Sequence, residues 1–261
     1  MTFWDHIDDL RKALLQPLLV LVACTVIAFL LKEPVFKILL AANSTDFITY
    51  TIAPGYNSVS SDGLLLNLIN IELPAQFLIH MKVSFYIGLI LTLPFLFYKL
   101  FRFASPGLYE KERYYSARIL FFSFVAFFSG VLVNYFVIFP FSLRFLAAYQ
   151  VSDQVSNMIS ITSYLGMLMS LSVLRGICFE LPIVSLLLSK LGIVNSGFLK
   201  KYRKHAVVVI VVISAIITPT TDIFTLLLVS LPIAFLYELS IIIMKISERP
   251  QKNIAETPPT L

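Results

Sequence analysis

Six stretches of this chain are apolar for long enough, or nearly so, to cross a bilayer as helices, and that pattern governs what the chain can become. A helix rises about 1.5 Å per residue, so about 20 apolar residues cross a hydrocarbon core about 30 Å thick. The stretches are Ala13–Leu31, Val83–Phe101, Ile119–Phe139, Ile161–Ser189, Ala206–Thr218 and Ile223–Met244. A chain of 261 residues with 58% hydrophobic and 13% charged residues has more apolar surface than it can hide within itself. Soluble domains carry about 25% charged residues, and the mean hydropathy of +0.88 points the same way. The expected class is therefore an all-α membrane protein of six transmembrane helices, with bilayer as its solvent.

The fifth stretch is short, and Thr218–Asp222 (TPTTD) leaves room only for a tight turn before the sixth. Pro219 has no amide donor and restrains the residue before it, so a helix should end there. Orientation follows from where lysine and arginine collect. With the N-terminus inside, inner segments hold fifteen of the 20 basic residues and outer loops hold only Lys32, Lys37 and Arg144. Lys82 and Arg175 lie at or within spans. Both ends are thus expected on the cytoplasmic side. The net charge of +5 is absorbed by these topology signals, so nucleic acid is not an expected partner.

Residues 1–249 read as one transmembrane domain and residues 250–261 as a disordered cytoplasmic tail. The first eleven residues are mostly polar, with three aspartates, and do not read as a cleavable leader. The first outer loop, about 32–81, is expected to be an ordered cap, with a short amphipathic helix near Leu64–Leu73. Cys24 and Cys178 sit in apolar stretches and read as packing residues. His6, His80 and His205 show no metal-ligand spacing, and no catalytic constellation emerges, so neither an enzyme nor a cofactor is expected.

Three features remain once topology has absorbed most charges. Phe3, Ile7, Leu10 and Leu14 recur at helical spacing, and the segment around Asp5, Asp8 and Asp9 reads as an amphipathic lead-in helix on the inner surface. Aspartates anchor poorly on an anionic membrane face, whereas they suit a basic ligand. The inner loop Phe101–Arg113 turns at Pro106-Gly107, and Glu110 to Arg113 open the next helix, either as solvated end charges or as a binding surface. Glu180, five residues after Arg175 and just before Pro182, lies within a span. An ionised group there costs about 2.5–3.5 kcal/mol on insertion scales, so it should face protein or water. A structural pair with Arg175 and a functional role both stand open.

Five blocks together resemble the TatC family, the multi-span receptor of twin-arginine protein translocation. They are HIDDLRKALL, KVSFYIGLILTLPFLFYKLFRFASPGLYEKER, YFVIFP, GICFELPIV and ITPTTDIFTLLLVSLPIAFLYE. The resemblance implies a cup-shaped six-helix bundle in the bacterial cytoplasmic (cell inner) membrane, and a receptor that binds twin-arginine signal peptides of folded proteins. By motif position, acidic contacts to the paired arginines fall on Asp9 and Glu112, with Asp8, Phe103 and Arg113 beside them. The family commonly has glutamate where this chain has Asp9, which keeps the charge but shortens the reach. Glu180 matches the family's intramembrane glutamate, implying polar contact with a partner, while Pro219 and Asp222 match its outer, periplasmic turn. Further implied are TatA-type and TatB-type single-span partners, self-association in the receptor complex, contact with membrane lipid, and transport driven by the proton-motive force. A secondary transporter of a small solute is the other reading, with its substrate near Glu180 and Arg175.

Overall fold

With no water in a bilayer core, each backbone N–H and C=O must be satisfied inside its own segment, and helices do this. The computed structural model describes residues 3–44, 47–52, 67–104, 113–149, 158–190, 192–217 and 222–255. In chain order these form α1 (Phe3–Leu30), α2 (Lys32–Ala41), α3 (Ile48–Ile52), β1 (Leu68–Ile69), α4 (Ala75–Ala104) and α5 (Arg113–Val133). A π-helical turn, Asn134–Ile138, leads into α6 (Phe139–Ala148). Then come β2 (Ile159–Ser160), α7 (Ile161–Phe179), α8 (Leu181–Lys190), α9 (Ser196–Lys201), α10 (Arg203–Ile217) and α11 (Ile223–Ala255). Five runs among the described residues are long and apolar enough to cross a membrane: Arg11–Leu30, Ala75–Leu100, Phe121–Ala148, Ile161–Ser189 and Ile223–Glu248. The fifth expected stretch falls in α10, which has 15 residues, about 22 Å of helix, less than a full hydrocarbon core.

The α1–α4 and α5–α7 pairs run antiparallel. Gly88 of α4 lies against Thr25 and Leu21 of α1, and His80 stacks on Phe29 at 4.1 Å. In the α5–α7 pair, Phe127 faces Gly176 and Asn134 faces Ser172. One end of the bundle, the cap end, therefore gathers the end of α1, α2, α3, and the starts of α4, α7 and α11. Phe224 at the start of α11 stacks on Phe145 of α6 there, at 4.0 Å. The opposite end gathers the starts of α1 and α5, the end of α4, α9 and the end of α11.

Four expectations change in the structure. Residues 250–255, expected within a disordered tail, continue α11, which carries the chain unbroken to Ala255, while 256–261 lie outside the described residues. The N-terminal segment is not a separate surface helix: α1 runs unbroken from Phe3 through the first span, because nothing between Arg11 and Pro17 breaks it. Residues 67–73 do not form an amphipathic helix; Leu68 and Ile69 instead pair in parallel with Ile159 and Ser160, the one strand pairing among the described residues. The fourth apolar stretch is two helices, α7 and α8, separated at Glu180. Pro182 supplies no donor to a continuing helix, and Glu180 turns the chain there.

The cap is held by tyrosines. The last turn of α2 leaves carbonyls without helical donors, and Tyr135 and Tyr164 donate to the Ile38 and Leu39 oxygens at 2.5 and 3.0 Å. Tyr50 donates to the Ala42 oxygen just beyond, at 3.2 Å. Pro140 likewise deprives the Phe136 carbonyl of its donor, and the Thr49 hydroxyl of α3 takes that place. The π turn fits the same proline, since Phe139 N–H reaches back to the Asn134 oxygen.

Close approach of helices depends on glycine. A Cβ on Gly88 would stand 2.2 Å from the Thr25 hydroxyl and 3.0 Å from its backbone nitrogen. Gly88→Ala is expected to destabilise the protein by about 1–3 kcal/mol, the usual range for overpacking, seen as a lower unfolding midpoint in detergent. Adding Thr25→Ala should recover part of the loss. An unchanged midpoint for Gly88→Ala would mean that α1 and α4 pack more loosely than described.

Candidate functional site

Polar groups gather at two depths. The first cluster lies at the α5–α7–α11 seam within the membrane spans. Glu180 is 2% exposed, and its Oε1 accepts a hydrogen bond from the Ser123 hydroxyl of α5 at 2.6 Å. Arg175, one turn and a half earlier on α7, is fully buried, with Nη2 donating to the Leu228 carbonyl of α11 at 3.0 Å. Its Nε and Nη1 find no partner among the described residues. Arg175 and Glu180 make no ion pair: each turns to a different neighbouring helix. The structural pair that five-residue spacing left open is therefore not formed, since on α7 those positions point away from each other.

Deeper along the same seam, Asn134 is fully buried and its amide donates to the Ser172 hydroxyl at 2.9 Å, while that hydroxyl donates to the Leu168 oxygen at 2.7 Å. The seam is tight because α5 and α7 meet through glycines. A Cβ on Gly130 would lie 2.6 Å from the Arg175 oxygen, and one on Gly176 would lie 2.5 Å from the Phe127 ring. Sequence reading missed Ser123 and Asn134. A polar residue opposite a buried glutamate is identified only when the helices are paired.

The second set lies at the end opposite the cap. Asp8 is exposed on α1, and Asp9 follows it, its side chain outside the described residues. Phe103 is half-buried in the last turn of α4. Arg113 is the first residue of α5, described by its backbone, and Glu112 lies outside the described residues. Antiparallel α1 and α4, with α5 following α4, bring these three chain segments to one end of the bundle. The same end is braced by Glu248 of α11, whose carboxylate accepts from the Ser196 N–H at 2.7 Å, the Ser196 hydroxyl at 2.5 Å and the Ser189 hydroxyl at 3.3 Å. Arg203 and Glu238 form an exposed ion pair at 2.6 Å, worth about 0–1 kcal/mol.

At the cap end, Asp222 caps α11: its Oδ1 accepts from the Thr225 N–H at 2.6 Å. Pro219 lies outside the described residues. No group of three or more His, Cys, Asp or Glu residues suited to a metal ion occurs among the described residues.

A multi-pass helical protein with a sealed polar seam and polar ends is thus the class that fold and site define. Residues 5–232 match the family described as Sec-independent protein translocase protein (TatC). The chain is 34% identical over 256 residues to the translocase protein TatCy of Bacillus subtilis, covering 98% of this chain and 93% of that one. It is 33% identical over 252 residues to TatC of a Blattabacterium of Periplaneta americana, covering 93% and 94%. Its structure is similar to the crystal structure of the twin arginine translocase receptor TatC, with a TM-score of 0.76, 30% identity, and coverage of 93% of this chain and 99% of that one. This chain belongs to the TatC family. It is a multi-pass protein of the bacterial cytoplasmic membrane and a component of protein translocation by the Tat route, not an enzyme.

Removing the Ser123 hydroxyl leaves a buried carboxyl oxygen without its donor. Ser123→Ala is expected to destabilise the protein by about 1–3 kcal/mol, while Ser123→Thr, which keeps the hydroxyl, should cost less. Thermal unfolding of the purified variants in detergent checks the order, and equal midpoints for both would remove Ser123 from the site.

Proposed function

We propose that this chain is the receptor subunit that binds twin-arginine signal peptides of folded cargo proteins and nucleates the translocation complex. In this reading α10 and α11 form the fifth and sixth crossings, both termini are cytoplasmic, and the end opposite the cap faces the cytoplasm. The observation that carries it is the convergence of the acidic start of α1, the end of α4 and the start of α5 at that end.

The chemistry suits paired arginines. A guanidinium stays protonated and offers a planar fork of donors to a carboxylate. Asp9 and Glu112, with Asp8 adjacent, supply the acceptors, and Arg113 helps set the charge of the loop. Exposed ion pairs contribute only about 0–1 kcal/mol each, so Phe103 and the apolar part of the peptide must supply much of the affinity. Two forks give selectivity over lysine, which presents a point charge.

Glu180 serves partner association instead. It is buried against Ser123, so a TatA-type or TatB-type helix engages it by exchanging that hydroxyl for a donor of its own. Self-association completes the receptor complex, and the proton-motive force drives transport. A small-solute transporter is less favoured, because Arg175 and Glu180 are buried and each is hydrogen-bonded to a neighbouring helix.

Photocrosslinking with a twin-arginine peptide tests the receptor site. Glu112→Ala should reduce crosslinking by about five-fold without altering membrane insertion, and a twin-lysine peptide should crosslink weakly to the unaltered chain. Undiminished crosslinking of Glu112→Ala would overturn this site. Glu180→Ala should lower partner co-purification and transport more than peptide crosslinking; equal losses accompanied by reduced protein level would assign it to folding.

A further inference from the structure

Near the cap end α4 and α7 part, leaving a cleft of about 540 Å³. That volume falls in the range of about 300–1,000 Å³ usual for small-molecule sites. Its floor is buried Val83, Leu165 and Met169, and its rim carries Lys82, Tyr86 and Thr162.

Two independent observations bear on what fills it. The first is Gly166 on the α7 wall: a Cβ built there meets nothing within 4 Å. The missing side chain is not required by helix packing, unlike those of Gly88, Gly130 and Gly176. It leaves an open slot along α7.

The second is Lys82. It stands seven residues into α4, roughly 10 Å along the axis, exposed and without an ion pair among the described residues. A lysine at that position on a membrane-crossing helix must lead its ammonium along a long apolar stem to an anion or to water. Tyr86 and Thr162 line the same cleft, and Thr162 lies in the first turn of α7, where the helix dipole also favours an anion.

We infer that this cleft binds a phospholipid with an anionic headgroup. One acyl chain lies over Gly166 against Leu165 and Met169, and the phosphate meets Lys82 at the rim. An α-helix with its side chains is about 10 Å across. A lipid chain is slimmer, and the surrounding bilayer supplies both its tail and its charge. The inference does not depend on signal-peptide binding, because the cleft lies at the other end of the bundle.

Native mass spectrometry of the purified full chain tests it, with phosphatidylglycerol and phosphatidylcholine of the same acyl chains at equal concentration. The unaltered chain should retain phosphatidylglycerol about five-fold over phosphatidylcholine, the scale of one lysine at an anionic lipid surface. Lys82→Gln should bring the ratio to about one, and Lys82→Arg should restore it. Gly166→Leu should lower retention of both lipids while its unfolding midpoint stays near that of the unaltered chain. If Gly166→Leu fails to fold, the Lys82 variants decide alone. An unchanged ratio in Lys82→Gln, or undiminished retention in a folded Gly166→Leu, overturns the proposal. Competition by glycerol 3-phosphate, which has the phosphate and no chains, would also overturn it by marking a site for free phosphate.

Discussion

Hydrocarbon offers no hydrogen bonds, so in this molecule a carbonyl freed by a proline or a helix end must find a donor on a neighbouring element. That requirement explains placements that would otherwise look accidental. Pro140 frees the Phe136 oxygen, and α3 is positioned so that Thr49 reaches it. The end of α2 is met by the hydroxyls of Tyr135 and Tyr164, with Tyr50 just beyond. Arg175, too polar for its position on α7, donates to a carbonyl of α11. All of these bonds but that of Tyr50 join elements distant in sequence, so satisfying the backbone also assembles the fold.

The second organising factor is proximity. Lipid tails are as apolar as leucine, so helices in a membrane gain little from burying apolar faces and associate through close packing and hydrogen bonds. Gly88, Gly130 and Gly176 provide that closeness, each facing an atom that a methyl group would strike. The α5–α7 contact made by Gly130 and Gly176 is also where Ser123 meets Glu180 and Asn134 meets Ser172. Tight backbones and buried polar pairs occur together because a hydrogen bond between helices needs the axes close. Gly166, with open space in front of it, shows that a glycine in a span can also serve to leave a gap.

Much of this architecture was legible in the chain. Long apolar runs marked where helices form, because length and hydropathy alone decide whether a segment can sit in a bilayer. Pro182 and Glu180 were visible as oddities inside the fourth run, but the break into α7 and α8 was not, since prolines inside α1, α4 and α11 leave those helices whole. The strand pair Leu68–Ile69 with Ile159–Ser160 was illegible for a different reason: two residues carry no periodicity, and their partners are about ninety positions away. At the candidate site the acidic residues were readable from motif, whereas the donor to Glu180 was not.

What the sequence by itself determined is the solvent and the rough path: apolar length selects the bilayer, the placement of lysine and arginine sets an expected direction, and motif order points to the family. What only the tertiary structure decided is which polar groups meet. Arg175 and Glu180 are neighbours in sequence and strangers in space, while Ser123 and Glu180 are 57 positions apart and hydrogen-bonded. The physical reason is that spacing along one helix fixes the direction of a side chain, but its partner is set by the register of the helix packed against it.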